Sequence, residues 1–342
     1  MSARYLLLAE GFSGNPLYGK TMRGVLRYRR DDVVAILDST RAGETENGVP
    51  VVGTVEEALP LGPTIALVGV VTQGGHFPPE WMKLLRACVE NGLGVENGLH
   101  VFLGDDPELR ALAEERGVEL RDLRRPPADL STATGDNLGL DATIVLTVGS
   151  DCAIGKMTVS CELDLEARRR GLRSVFVPTG QTGIAIAGWG IAIDAVVADF
   201  LAGAAERLVV EGHARGGDLL WVEGQGALLH PVYSGVTLGL YHGSAPHLLV
   251  LCHEVGRTEI EGAGGGPHVI PPLSELVELH ERFALPARQA RVAAVALNTR
   301  ALEDEEARVA IAATEEETGL PADDPVRFGA AKLLDAVLVA RA

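Results

Sequence analysis

Short, nearly continuous apolar runs alternate with helical stretches along the whole chain. Residues 5–9, 33–37 and 65–71 predict buried parallel strands. A strand covered on both faces carries apolar side chains at every position rather than every second one. Residues 79–91 and 107–116 predict helices. The first of these opens on Pro79 and closes on Asn91-Gly92, residues that suit those two ends. Residues 121–129 (RDLRRPPAD) are charged, contain Pro-Pro and predict a boundary. Beyond it the alternation resumes, with strands expected at 143–148, 174–177, 219–222, 248–251 and 292–297. Helices are expected at 156–170, 191–211, 274–283, 303–318 and 325–340, with a glycine-rich mobile loop at 261–267. The pattern therefore predicts two α/β domains, residues 1–125 and 126–342.

Composition narrows the function classes. The net charge of −17 opposes general nucleic-acid binding, which needs a basic face. A 46% apolar content excludes disorder. No apolar run approaches the ~18–20 residues of a membrane span, and the apolar start at Tyr5 is too short for a signal peptide. Cys88, Cys152, Cys161 and Cys252 show no metal-ligand spacing, so no metal site is expected and a reducing cytoplasmic setting is. Glycine is over-represented at 41 residues, and the glycines follow apolar runs, as in strand-to-helix loops that approach ligands.

The sharpest motif follows the strand at 143–148: Gly149, Ser150, Asp151, Cys152, Ala153, Ile154, Gly155, Lys156, Met157 and Thr158, with a helix directly after. Strand, glycine loop and helix in this order make a phosphate cradle, with backbone N–H groups, a helix N-terminus and a lysine all directed at the anion. The loop is one residue longer than G-x-x-x-x-G-K-[ST], and Met157 stands where a Mg²⁺-binding hydroxyl is usual. The longer loop resembles that of dethiobiotin synthetase and its relatives. Met157 leaves nucleoside triphosphate hydrolysis in doubt while still allowing a bound polyanion. A tight turn with an exposed lysine is the plain alternative.

Other candidates lie at strand ends. Glu223 ends an apolar run and precedes Gly224-Gln225-Gly226, read as backbone passing close to a ligand. Thr179, Gln181 and Thr182 in VPTGQTG offer donors at the edge where open α/β sheets bind ligands. In the first domain, Gly11-x-x-Gly14, Asp38 and the segment 69–75 suggest a second ligand edge. This region resembles the CoA-binding domain of succinyl-CoA synthetase-type proteins, including Arg41-Ala42-Gly43. His230, His242 and His253 are possible general bases, each with a structural alternative. Arg257 suits a substrate carboxylate. Cys152, in the loop, reads as a packing residue before a nucleophile.

Several segments together resemble the D-glutamate N-acetyltransferase-like family: Asp38–Gly43, Gly98-Leu-His100, residues 149–158, 179–183, 194–200 and 222–226, His253-Glu254, and residues 319–329. That resemblance implies a Rossmann-like N-terminal domain, a P-loop C-terminal domain, and acetylation of D-glutamate by acetyl-CoA. CoA carries a pyrophosphate and a 3′-phosphate, so a phosphate loop can hold it without hydrolysis. On this reading Glu223 or His230 deprotonates the amine, Lys156 and the loop amides bind phosphate, and Arg257 holds a substrate carboxylate. Glycine loops after Val222 or Val177 would supply oxyanion donors. Thr179, Gln181, Thr182, Gln225 and His253 complete the expected substrate site. The alternatives are an ATP/Mg²⁺-dependent ligase or carboxylase resembling dethiobiotin synthetase, and a nucleotide-binding scaffold. The expected partner is a small amino acid, with no nucleic acid or membrane, in a homo-oligomer.

Overall fold

Apolar runs that alternate with helices can bury both faces of a strand only in a parallel sheet covered by helices. Two such sheets form in the computed structural model, which describes residues 3–15, 18–72, 75–78, 80–262 and 264–341. Gln73, Gly74, Pro79 and Ala263, to which sequence features were assigned above, lie outside the described residues.

The first sheet is built from β1 (Tyr5–Leu8), β2 (Val33–Leu37), β3 (Thr45–Glu46), β4 (Val49–Val52), β5 (Ile65–Val68), β6 (Gly94–Asn97) and β7 (Leu120–Asp122). Helices α1 (Lys20–Tyr28), α2 (Val55–Ala58), α3 (Trp81–Glu90) and α4 (Pro107–Arg116) connect them. Strand order is β3-β4-β2-β1-β5-β6-β7, with the short β3 antiparallel to β4 and the other pairs parallel. Every residue of β1 is buried, as its all-apolar sequence requires. The order reverses on either side of β1, the Rossmann-like arrangement expected from the sequence.

Asp38, at the end of β2, is consumed internally. Its oxygens accept from the Gly11 and Ser13 amides, the Ser13 hydroxyl, and the Thr40 amide and hydroxyl. Burial pushes this carboxyl up, but the hydrogen bonds from Ser13, Thr40 and Gly11 outweigh it and hold the pKa below the ordinary value. Asp38 thus ties the β1–α1 loop to the end of β2.

The second sheet contains β8 (Thr143–Gly149), then α5 (Lys156–Arg169), β9 (Ser174–Val177), α6 (Gln181–Ala187), α7 (Ala198–Ala214) and β10 (Leu219–Val222). It continues through α8 (Ser234–Ser244), β11 (Leu248–Glu254), α9 (Leu273–Arg282), β12 (Arg291–Asn298), α10 (Asp304–Thr318), β13 (Ala322–Asp323) and α11 (Ala331–Arg341). Its order is β13-β12-β11-β8-β10-β9, parallel throughout. Trp221 of β10 sits in its core with Leu163 of α5 and Leu333 and Leu334 of α11. The Trp221 indole donates to Ser174 Oγ at 2.9 Å, so its buried N–H is satisfied.

Contacts divide the chain into two units: Met1–Arg125 with Gln181–Ala192, and Pro126–Gly180 with Ile193–Ala342. Helix α6 therefore belongs to the first unit, a return that a linear division does not contain. It is held there by Gln181 on Arg124 at 3.1 Å, Thr182 on Thr21 at 2.8 Å, and the Ala185 carbonyl on Arg29 at 3.1 Å.

Two expected helices start late. The helix drawn from residue 191 begins at Ala198, because a 3₁₀ turn at Ile193–Ala195 and an extended Val197 intervene. Ile191, Ile193, Val196 and Val197 are β-branched, which lowers helix propensity. The helix drawn from residue 325 begins at Ala331. Asp324 Oδ1 accepts the Val326 and Arg327 amides, and Gly329 is left-handed at φ 90°, so a turn forms first. Around the glycine-rich loop, Ile260 donates to the His268 carbonyl and Ile270 to that of Thr258, closing an antiparallel neck.

His280 on α9 is fully buried, with Nδ1 donating to the Leu276 carbonyl and Nε2 unpartnered. Burial lowers its pKa to about 4, and burial likewise lowers that of His247 to about 4. Both are neutral in the folded state, so their stability contribution is intact above the ordinary histidine value and lost as pH falls from about 6.5 toward 4. Denaturant midpoints are expected to fall across that window, with the unfolding free energy lower by roughly 3 kcal/mol through His280 at its lower end. His280→Phe flattens the fall; a midpoint independent of pH between 6.5 and 4 in the wild type contradicts this.

Candidate functional site

The carboxyl ends of four neighbouring parallel strands, β11, β8, β10 and β9, converge on one edge of the second sheet. From β8 comes the loop 149–155, from β10 Glu223, from β9 Thr179 and Gly180, and from β11 His253 and Arg257. Such an edge is where open α/β sheets hold ligands.

The loop is shaped by its own sequence. Gly155 lies at φ 111°, outside reach of an L side chain, and turns the backbone straight into α5. No side chain caps α5, so its first N–H groups are directed to the loop's concavity, where the helix dipole also favours an anion. Ala153 is left-handed at φ 54°. Lys156 is buried, with Nζ donating to the Asp151 carbonyl at 2.6 Å, so the lysine folds along the loop and is not an exposed turn residue.

Asp151 holds the loop. It is fully buried, accepts from the Cys152 amide at 2.6 Å and the Glu261 amide at 2.9 Å, and pairs with Arg257 at 2.9 Å. Arg257 also meets Glu254 at 2.6 Å and Glu261 at 3.0 Å. Its charge is thus shared among three carboxylates of the protein, and it braces the loop. The Ser150 amide donates to the Cys252 carbonyl and its hydroxyl bonds His253 Nδ1 at 2.9 Å. Burial lowers the His253 pKa against the pull of Glu317 and Glu254, so this ring is neutral at neutral pH.

Glu223 organises the neighbouring turn. Oε2 accepts the Thr179 and Gly180 amides at 2.9 and 3.0 Å, and its carbonyl accepts the Thr179 hydroxyl at 2.6 Å. The Gly224 amide donates to Thr147 Oγ1 at 2.9 Å. The strand-end amides expected as oxyanion donors are therefore bonded to protein groups. The glycines are required by the fold: a Cβ on Gly224 would stand 1.8 Å from the Thr147 carbonyl, and one on Gly226 2.5 Å from that of Tyr233. Gln225 Nε2 reaches Thr179 Oγ1 at 3.3 Å.

His230 is buried, and its Nδ1 accepts the Val232 amide at 3.1 Å. That hydrogen bond occupies the Nδ1 lone pair, so a ligand can be met only through Nε2. Asp151, Cys152 and His230 each bring one potential ligand atom within 4.8 Å of the others. Asp151 already faces the Arg257 cation, which opposes a metal ion there. Met157 follows the lysine and offers no hydroxyl; Thr158, one residue on, lines a separate cavity.

Of the expected site residues, the second unit brings together residues 149–158, Thr179, Glu223, Gln225, His230, His253 and Arg257, while Gln181 and Thr182 lie in the first unit. Sequence reasoning missed Asn298, whose amide donates to the Ile154 carbonyl at 3.3 Å, and Asp324, whose Oδ2 accepts the Thr299 amide and hydroxyl. Asn298 ends an apolar strand, the same signal that identified Glu223.

A Rossmann-like unit followed by a parallel sheet whose β8 runs through a lysine-bearing loop into α5 defines a two-domain α/β protein of the P-loop class. Residues 131–334 match the "Domain of unknown function (DUF1611_C) P-loop domain", and residues 38–126 the "DUF1611_N Rossmann-like domain". The chain belongs to the DUF1611 family. It is 38% identical to a D-glutamate N-acetyltransferase of Tritonibacter scottomollicae over 97% of each chain. It is 35% identical to another of Pseudoalteromonas sp, over 80% of this chain and 81% of that one. A crystal structure of a DUF1611 family protein from Anabaena variabilis matches with a TM-score of 0.90 and 42% identity, covering 99% of this chain and 100% of that one. By these relatives the chain is an enzyme of the N-acetyltransferase class.

Removing Asp151 leaves Arg257 buried beside a broken loop. Asp151→Ala is expected to lower unfolding free energy by about 1–3 kcal/mol in denaturant titration, because Arg257 keeps Glu254 and Glu261 while the loop loses its buried acceptor. A change below about 1 kcal/mol would show that the pair does not hold the loop.

Proposed function

We propose that this protein transfers the acetyl group of acetyl-CoA to the amino group of D-glutamate. The observation that carries the reading is a phosphate-type loop with a buried lysine and methionine at the Mg²⁺ position, in a chain 38% identical to a D-glutamate N-acetyltransferase. Such a loop suits a polyanion that is bound and never hydrolysed. The α5 N-terminus and Lys156 take the CoA phosphates.

The α-ammonium of glutamate must lose a proton before nitrogen attacks the thioester carbon. His253 is neutral at neutral pH through burial and stands beside the loop on Ser150, so it takes the base role. Glu223 acts through the Thr179–Gly180 turn and is a positioning residue. Attack forms the amide bond, the carbon–sulfur bond breaks, and CoA leaves as the thiol after taking up a proton.

The test follows thiol release from acetyl-CoA with D-glutamate and with L-glutamate, without ATP. Release with the D-isomer alone is expected; no release with either isomer contradicts the reading. His253→Asn is expected to lower kcat by about 10²–10⁴-fold with little change in the KM for acetyl-CoA. Near-wild-type kcat in that variant removes His253 from the base role.

A further inference from the structure

A cavity of about 460 Å³ opens beside the loop, within the ~300–1,000 Å³ range of pockets that take small ligands. Three segments of the second unit wall it: Gly155, Thr158 and Val159 at the start of α5, Ala296 to Asn298 at the end of β12, and the turn from Asp324 to Arg327. We propose that this cavity receives the adenosine of CoA, with its 3′-phosphate at Arg300. The proposal rests on the acetyl-CoA reading above and deepens it.

The walls are built in advance. Asp324 is buried, and one oxygen accepts the Thr299 amide and hydroxyl while the other accepts the Val326 and Arg327 amides. A single carboxylate thereby fixes the end of β12 against the turn opposite. Arg327 reinforces this by donating to the Thr299 and Leu302 carbonyls at 3.0 and 2.8 Å. Asn298 ties the same strand end to the loop through the Ile154 carbonyl. A pocket so cross-braced costs little ordering on binding.

Its chemistry suits a purine nucleoside. Val159, Ala296, Leu297, Pro325 and Val326 give largely apolar walls for a flat base. Gly155 belongs both to the cavity and to the loop, so a pyrophosphate held by the loop delivers its own ribose and base next door. The cavity also carries a cation whose present partner is weak. Arg300 lines it, is two-thirds exposed, and meets Glu254 at 2.6 Å. The Arg300 end of the pair is exposed, and Glu254 keeps Arg257 as its other partner, so Arg300 can turn to a phosphate at small cost. A 3′-phosphate is what CoA has and ATP lacks.

The experiment is calorimetric titration with adenosine 3′,5′-bisphosphate, the nucleotide end of CoA. Wild-type protein is expected to bind it. Val326→Trp, at a half-exposed position whose amide bond to Asp324 is kept, fills the cavity and lowers affinity at least tenfold. Arg300→Ala removes the preference for the bisphosphate over adenosine 5′-monophosphate. S-acetylpantetheine, a donor without adenosine, should be turned over equally by wild type and Val326→Trp. Wild-type failure to bind the bisphosphate, or unchanged affinity in a folded Val326→Trp protein, overturns the cavity assignment. A bisphosphate bound by wild type and lost in Val326→Trp, with no acetylation of glutamate, upholds the cavity and sinks acetyl transfer instead. Acetylation with an unchanged KM for acetyl-CoA in Val326→Trp does the reverse.

Discussion

One buried ion pair fixes the candidate site. Asp151 sits inside the loop with no exposure, and Arg257 reaches it from beyond the end of β11 at 2.9 Å. The pairing of β11 with β8 brings the two into register, with Cys252 opposite Gly149. A buried pair of this kind contributes little net stability against an apolar substitute. Its consequence here is shape. The pair holds the loop closed, which lets Lys156 lie along the loop with Nζ on the Asp151 carbonyl. The arginine is thereby engaged with three protein carboxylates, and the loop is tied to the end of β11.

The same constraint reconciles the chain's charge with an anionic ligand. A net charge of −17 opposes an acetyl-CoA donor at long range. Salt screens exposed charges beyond about 8 Å, and in the proposed complex the α5 N-terminus, Lys156 and Arg300 would act at contact distance. Several acidic groups near the site are already engaged: Asp151 and Glu254 with arginines, Glu223 with two amides, Asp324 with two amides, a threonine amide and its hydroxyl. Each carboxylate that accepts protein donors presents less repulsion to an incoming phosphate.

Much of the architecture was legible in the chain. Continuous apolar runs located β1, β2 and β8 to β12 because a parallel strand buried on both faces has no polar alternative, and the loop after β8 announced itself by lysine and glycine spacing. What failed depends on side-chain bonds and packing, some local and some distant, that hydrophobic spacing does not encode. The pattern at 191–197 looks helical, yet its β-branched residues form a turn. Asp324 turns residues 325–329 away from helix through side-chain bonds that periodicity does not encode. Glycines 224 and 226 read as ligand contacts, but the backbone of β8 and the residues entering α8 require them. Arg257 read as a substrate clamp because its three carboxylate partners lie 3, 4 and 106 residues away, and the last cannot be seen along the chain. Gln181 and Thr182 follow Thr179 in sequence but pack in the other unit.

We propose that the loop after β8 is a phosphate cradle for CoA that works without Mg²⁺. Its most direct measurement is calorimetric titration of CoA into wild-type and Lys156→Ala protein in EDTA, repeated with Mg²⁺. Wild-type binding is expected to be equal in EDTA and Mg²⁺ and to be weakened at least tenfold in Lys156→Ala. CoA binding that requires Mg²⁺, or that is untouched by loss of Lys156, would contradict it.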